Sequence, residues 1–187
     1  AKSLLVRTGA LYHDIGKTKN PAFFTENQRG FNPHDALSTQ QSAQLITGHV
    51  REGLALAEQH RLPAIVRDFI ATHHGCGMAK FFYMQAKQAG LEPDPQFFSY
   101  PGPNPTTVEQ AILMMSDAVE AASRSLKDVD DQSVSDLVDR IIDAQVSEGF
   151  FSQCPITFRD IADAKQVFKA KLRTIYHTRI EYPKNVK

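Results

Sequence analysis

Neither sign of charge is in excess: 21 basic residues face 21 acidic ones, for a formal net charge of zero. Such a chain has no long-range field with which to gather a nucleic-acid polymer or an anionic membrane, so electrostatic partners must be met locally. Cysteine is scarce as well. Cys76 and Cys154 are too few for a disulfide framework and lack the paired spacing of a zinc knuckle, which fits a reducing compartment. Long apolar runs are missing: nothing approaches the ~18 uninterrupted apolar residues of a membrane span, and no charged start leads into an apolar signal core. The segment is therefore expected to be soluble. There is no initiator Met, and Leu4, Leu5, Leu11 and Ile15 follow almost at once at positions that suit a helix, so the chain reads as a piece cut from a longer one. What is present is the content of one ordinary domain, 187 residues with 42% hydrophobic and 22% charged positions.

The punctuation is that of an all-α domain. A first helix is expected over residues 3–14, stopped by Gly16 as a left-handed terminator. Residues 17–37 carry two Asn-Pro pairs and a Gly, which argue against continuous helix and for a long functional loop. Ser38 and Gln41 form a capping box for a helix to about His60, with Ala43, Leu45, Ile46, Val50, Leu54 and Ala57 at helical spacing. Pro63 opens a helix that ends at His73, His74 and Gly75. A short helix is expected at about 78–89, then a Pro-rich crossing over 91–105. Thr106 with Glu109 is read as the cap of a helix through Leu126, and Ser133 and Thr157 as the starts of helices over 134–148 and 158–179. No run alternates at period two, and no internal repeat is visible.

The chemistry gathers on four of these helices. His13 with Asp14, His49, His73 with His74, and Asp117 supply four imidazoles and two carboxylates, each flanked by apolar residues where an unpaired polar group would be costly. One partner satisfies them all, a pair of divalent metals, because a carboxylate bridges two ions while imidazoles fill the remaining positions without adding charge. His-Asp alone is a weak signal; the order H-D, H, H-H, D over about a hundred residues of helix is a much stronger one.

With those residues in place, the sequence resembles the HD-domain phosphohydrolases, His13-Asp14-Ile15-Gly16-Lys17 matching their H-D-x-G-K form. Longer stretches narrow the resemblance: YHDIGKTKNPAFFTENQ at 12–28, NPHD at 32–35, FFY at 81–83, SYPGPNP at 99–105 and IYHTRIEYP at 175–183. Together they are similar to the HD domain of the membrane-anchored PgpH-type (7TM-HD) proteins, over nearly all of residues 8–183. The resemblance implies an HD-domain helical bundle of about seven helices, residues 1–187 forming one HD domain. It also implies cyclic di-AMP phosphodiesterase activity giving pApA, at the cytoplasmic face of the membrane that anchors the parent chain. The implied metal ligands are His13, Asp14, His49, His73, His74 and Asp117, with Asp14 bridging. The family pattern has one further His on a preceding helix, absent from this chain, so the ion served by His13, Asp14 and Asp117 is expected to lack one protein ligand and the activity of the fragment to suffer. Mixed imidazole and carboxylate ligation favours manganese or iron over magnesium, which prefers oxygen and water.

Around this set, other residues carry two readings each. Lys17, just past the H-D pair, either neutralises a phosphate oxygen or is simply solvated. Arg124 lies two helical turns after Asp117 and either clamps the second phosphate or pairs with Glu120 four residues earlier. His34, in Asn32-Pro33-His34-Asp35, is a turn residue with Asp35 as a cap, or a proton-transferring, substrate-contacting group. Phe81, Phe82, Tyr83, Phe97, Phe98 and Tyr100 are core residues or platforms for purine stacking. Cys76 is expected to be a small buried residue, and His60 and His177 ordinary helix residues. Two competing functions share the metal ligands: an HD hydrolase for another nucleotide such as cyclic di-GMP or a mononucleotide, and a non-catalytic cyclic-dinucleotide sensor.

Overall fold

The computed structural model describes residues 1–28, 30–126 and 130–177. Residues 178–183 of the IYHTRIEYP stretch and the expected last two residues of the final helix lie outside them. Among the described residues there are seven α-helices and no strand: α1 Ser3–Tyr12, α2 Thr39–Gln59, α3 Ala64–Thr72, α4 Lys80–Gln88, α5 Val108–Ser123, α6 Asp131–Ser147 and α7 Phe158–His177. A single isolated antiparallel bridge pairs Met78 with Ser99.

The longest central helix, α2, starts at the expected capping box: the Ser38 side chain accepts from Gln41 N, and the Gln41 side chain accepts from Ser38 N. The short 3-10 turn at Ile15–Lys19, α3, α4 and the turn at Pro95–Phe98 all pack on it. Helix α5 lies against α1 and α3 and carries α6 and α7 on another side. The larger core forms there, because Val134, Leu137, Val138 and Ile142 recur along one face of α6 and meet Met114, Met115 and Val119 of α5 and Ile161 and Leu172 of α7. Burying one such side chain contributes about 1.5–3 kcal/mol.

Several expected boundaries move, each for a local reason. Helix α1 ends at Tyr12, and Gly16 lies inside the Ile15–Lys19 turn rather than acting as a left-handed terminator. Its lack of a side chain serves close approach: a Cβ there would stand 1.9 Å from the His49 carbonyl oxygen and 2.6 Å from Gly53 N. Helix α5 is capped by Thr107 with Gln110, not by Thr106 with Glu109. Gln110 Oε1 accepts from both Thr106 N and Thr107 N, while Glu109 accepts from Lys2 N at the start of α1. Ser133 is the third residue of α6 rather than its start; Asp130 is the cap and accepts from Ser133 N at 2.6 Å. The segment 17–37 avoids continuous helix as expected and is built from short 3-10 turns at Pro21–Phe23, Thr25–Asn27 and Pro33–Ala36. Cys76 is exposed rather than buried.

Candidate metal centre

Four helices deliver the six expected residues to one place. His13 caps the C-terminus of α1 with Asp14 next to it, His49 sits in the middle of α2, His73 caps α3 with His74 following, and Asp117 lies in α5. The turn after the His pair is held by Gly75 at φ +53°, packed against Asn104 Oδ1, which also accepts from Cys76 N at 2.8 Å. Two donor groups result, each with its atoms within 4.8 Å of one another: Asp14, His49, His73 and His74, and His13, Asp14 and Asp117. Asp14 belongs to both. Its Oδ1 is 3.3 Å from His49 Nε2 and 3.6 Å from His73 Nε2, and its Oδ2 is 3.2 Å from His13 Nε2, which is 3.4 Å from Asp117 Oδ1.

The imidazoles are oriented by their own helices. Nδ1 of His13, His49 and His73 lies 2.9, 2.6 and 2.8 Å from the carbonyl oxygens of Ala10, Ile46 and Ile70 respectively, three residues back in each case. A carbonyl accepts only, so Nδ1 carries a proton in each ring and Nε2 points inward, with a lone pair in His49 and His73 and with a second proton in His13 while that ring is charged; Nδ1 held in this way is the arrangement that prepares a metal-ligating histidine. As a consequence, His49 Nε2 and His73 Nε2 face each other at 3.0 Å in a site where both residues are 1% exposed. Two lone pairs at that distance repel unless a cation lies beside them. His13 Nε2 and Asp14 Oδ1 are likewise buried without a well-formed hydrogen bond, an arrangement costing about 1–3 kcal/mol per group if left unmet. Divalent ions meet all of these demands together, and the donor set of imidazole nitrogens and carboxylate oxygens fits them.

In the metal-free protein, burial pulls the His13 pKa down, but its contacts with Asp117 and Asp14 prevail and raise it to about 10. Burial works against ionisation of Asp14 too, yet His13, His49 and His73 hold its carboxyl well below the usual carboxylate range. His73 and His74 are pushed down by burial, with neighbouring imidazoles adding to the effect. Both therefore stay neutral near pH 7, as ligands must.

His13, Asp14, His49, His74 and Asp117 line a cavity of about 760 Å³. Lys17 and Arg124 both line it. Lys17 Nζ is 2.7 Å from Asp14 Oδ2 and 2.9 Å from Glu26 Oε1; Arg124 makes two contacts to Glu120, at 3.1 and 2.7 Å, and a third to Glu26 Oε2 at 3.3 Å. The Arg124–Glu120 pair thus coexists with a cavity-facing guanidinium. His34 is also in the wall, its Nε2 2.9 Å from Phe23 O and its Nδ1 without a partner, and Asn32 rather than Asp35 caps its turn. Of the aromatics, Phe81, Phe82 and Tyr100 line the cavity, joined by Phe23 and Phe24, which sequence reasoning did not single out. Tyr100 stacks on His74 with ring centroids 4.1 Å apart. Phe98 is 1% exposed core, Tyr83 packs against it, and Phe97 lies on the outer surface, so these three do not line the cavity. Glu26, which touches both cations, was missed: an acid in a loop of short turns has no periodic pattern to mark it.

The model of the HD domain family matches residues 1–122 of the 187. The chain belongs to the HD domain family. Divalent metal binding goes with that membership, and the His and Asp cluster could hold the ions. This HD domain is 41% identical over 188 residues to cyclic-di-AMP phosphodiesterase PgpH of Bacillus subtilis (strain 168), covering 100% of this chain and 26% of that protein. It is 40% identical over 184 residues to PgpH of Listeria monocytogenes serotype 1/2a (strain 10403S), with 98% and 26% covered. The chain thus spans about a quarter of the length of these relatives. The crystal structure of the L. monocytogenes PgpH HD domain in complex with cyclic-di-AMP matches with a TM-score of 0.91 at 40% identity, over 97% of this chain and 84% of that one. The likeness to that domain extends the all-helical HD fold beyond the residues that the family model matches.

Proposed function

We propose that this HD domain is a metal-dependent phosphodiesterase that opens cyclic di-AMP to the linear dinucleotide pApA. The observation that carries the reading is Asp14, whose two oxygens face two separate donor groups in the wall of a cavity also lined by Lys17 and Arg124. The complex of the L. monocytogenes neighbour with cyclic-di-AMP supports the choice of substrate. Residues 1–187 act as one domain, and the parent chain is anchored in a membrane with this domain on the cytoplasmic side. No helix among the described residues is long and apolar enough to cross a membrane.

In this reading His49, His73, His74 and Asp14 hold one ion, and His13, Asp14 and Asp117 the other, with manganese or iron favoured by the mixed donors. When bound, such ions lower the pKa of water and offset charge building on the phosphate. The chain's own residues do the rest. Asp14 ties both donor groups to one rigid point and sets Lys17 beside them. Lys17 leaves its carboxylate partners to hold one phosphate oxygen, and Arg124 reaches the other phosphate with its planar fork. Phe81 and Phe82 offer ring faces to the bases, and His34 contacts the ligand from the cavity wall.

The test is a turnover assay with manganese and a panel of cyclic di-AMP, cyclic di-GMP and mononucleotides. The expected result is pApA from cyclic di-AMP, abolished by EDTA and by Asp14→Ala. Preference for another nucleotide refutes the substrate, and tight binding of cyclic di-AMP with no turnover, by this domain or by the longer parent chain, identifies a sensor instead.

A further inference from the structure

Among the described residues lining the cavity there are four carboxylates, Asp14, Glu26, Asp117 and Glu120, and two permanently charged cations, Lys17 and Arg124. Even with the charged His13 ring counted, the metal-free cavity carries one more negative than positive charge, which opposes entry of a phosphate ligand. Asp14 and Asp117 face the imidazoles, and Glu120 pairs with Arg124 from one turn away on the same helix. Glu26 is different. It arrives from the separate turn Thr25–Asn27 and spans the two cations with two different oxygens, Oε1 at 2.9 Å from Lys17 Nζ and Oε2 at 3.3 Å from Arg124 Nη1. To take up phosphate oxygens, Lys17 and Arg124 must each give up one Glu26 oxygen.

We propose that Glu26 is a specificity-determining residue that holds both phosphate-contacting cations, Lys17 and Arg124, in place of phosphate and so makes nucleotide binding conditional on metal. Two divalent ions at the donor groups reverse the excess charge of the cavity, giving a complement to a ligand with two phosphates. Only then does a phosphate displace the Glu26 carboxylate. The displacement is local, because the turn has no side-chain cap and is flanked by the extended residues Phe24 and Gln28. Phe24, 5% exposed and edge-on to His49, anchors its inner end. A ligand with fewer charges, or a metal-free site, leaves the two cations with Glu26. The identity of the two-phosphate ligand and the presence of two ions rest on the function proposed above; the competition at Lys17 and Arg124 does not.

The experiment measures binding by calorimetry in EDTA, with cyclic di-AMP and, as a probe independent of that substrate, inorganic pyrophosphate. Glu26→Gln removes the charge and keeps the shape; Glu26→Ala removes both. Each is expected to bind both probes about tenfold more tightly than the parent without metal, and the advantage is expected to shrink when manganese is added. Glu58→Gln, an equal charge change at an exposed position outside the cavity, is expected to change nothing. Because a misfolded variant loses affinity, a gain cannot come from damage. Unchanged or weaker pyrophosphate binding in both Glu26 variants overturns the proposal, as does an equal gain in Glu58→Gln. A gain for pyrophosphate with no cyclic di-AMP binding to any protein, with or without manganese, supports the role of Glu26 and refutes the substrate.

Discussion

His13 and His73 carry the same hydrogen bond from Nδ1 to a carbonyl three residues back, yet their protonation is driven in opposite directions. For His13 burial disfavours the charged ring, but Asp117 and Asp14 outweigh it and raise its pKa to about 10. For His73 burial prevails, and His74 follows it down. A metal takes neutral imidazole. Below pH 10, uptake of an ion by His13, Asp14 and Asp117 must expel the His13 proton, whereas His73 and His74 have none to lose near neutrality. Affinity at the His13 group is therefore expected to rise about tenfold per pH unit between about pH 7 and 9. Affinity at the His73 and His74 group is expected to stay nearly level over the same range. Calorimetry in buffers of different ionisation enthalpy counts the protons; equal release from both classes of site contradicts the assignment.

At the scale of elements, the site depends on how closely the Ile15–Lys19 turn meets α2. Gly16→Ala would drive a Cβ into the backbone of His49 and Gly53, neither of which can swing aside. Forcing the two elements apart is expected to cost about 3 kcal/mol and to weaken metal binding, because the turn carries Asp14 and α2 carries His49. Gly48→Ala, one residue from His49 on the same helix, meets nothing within 4 Å and is expected to stabilise by about 0.5–1 kcal/mol. Thermal unfolding of the two variants separates them; similar melting temperatures contradict the close-approach account. The same pair shows what could be read in advance. Helix α2 and its cap were legible because Ser38, Gln41 and the apolar stripe act locally. The role of Gly16 was not, since a terminating glycine and a close-approach glycine look alike until the second element is in place. At α5, Thr106 with Glu109 and Thr107 with Gln110 are overlapping matches to one pattern. Lys2, more than a hundred residues away, engages Glu109. Phe81 and Phe98 likewise differ only in what packs on them, one 73% and the other 1% exposed.

The whole molecule gathers residues spread from His13 to Asp117, and their presence was legible because each polar residue interrupts an otherwise apolar helical stretch. Glu26 lay outside that reasoning, as it belongs to no periodic stripe. The two donor groups are unequal, four residues in one and three in the other, so the first is expected to fill at lower metal concentration. The central claim is that Asp14 joins two ions. Anomalous scattering from crystals of this domain soaked in manganese tests it most directly. The account predicts two peaks about 3.5–4 Å apart, one beside His49, His73 and His74, the other beside His13 and Asp117, with one oxygen of Asp14 on each. A lone ion that avoids Asp14, or ions bound elsewhere on the domain, would contradict it.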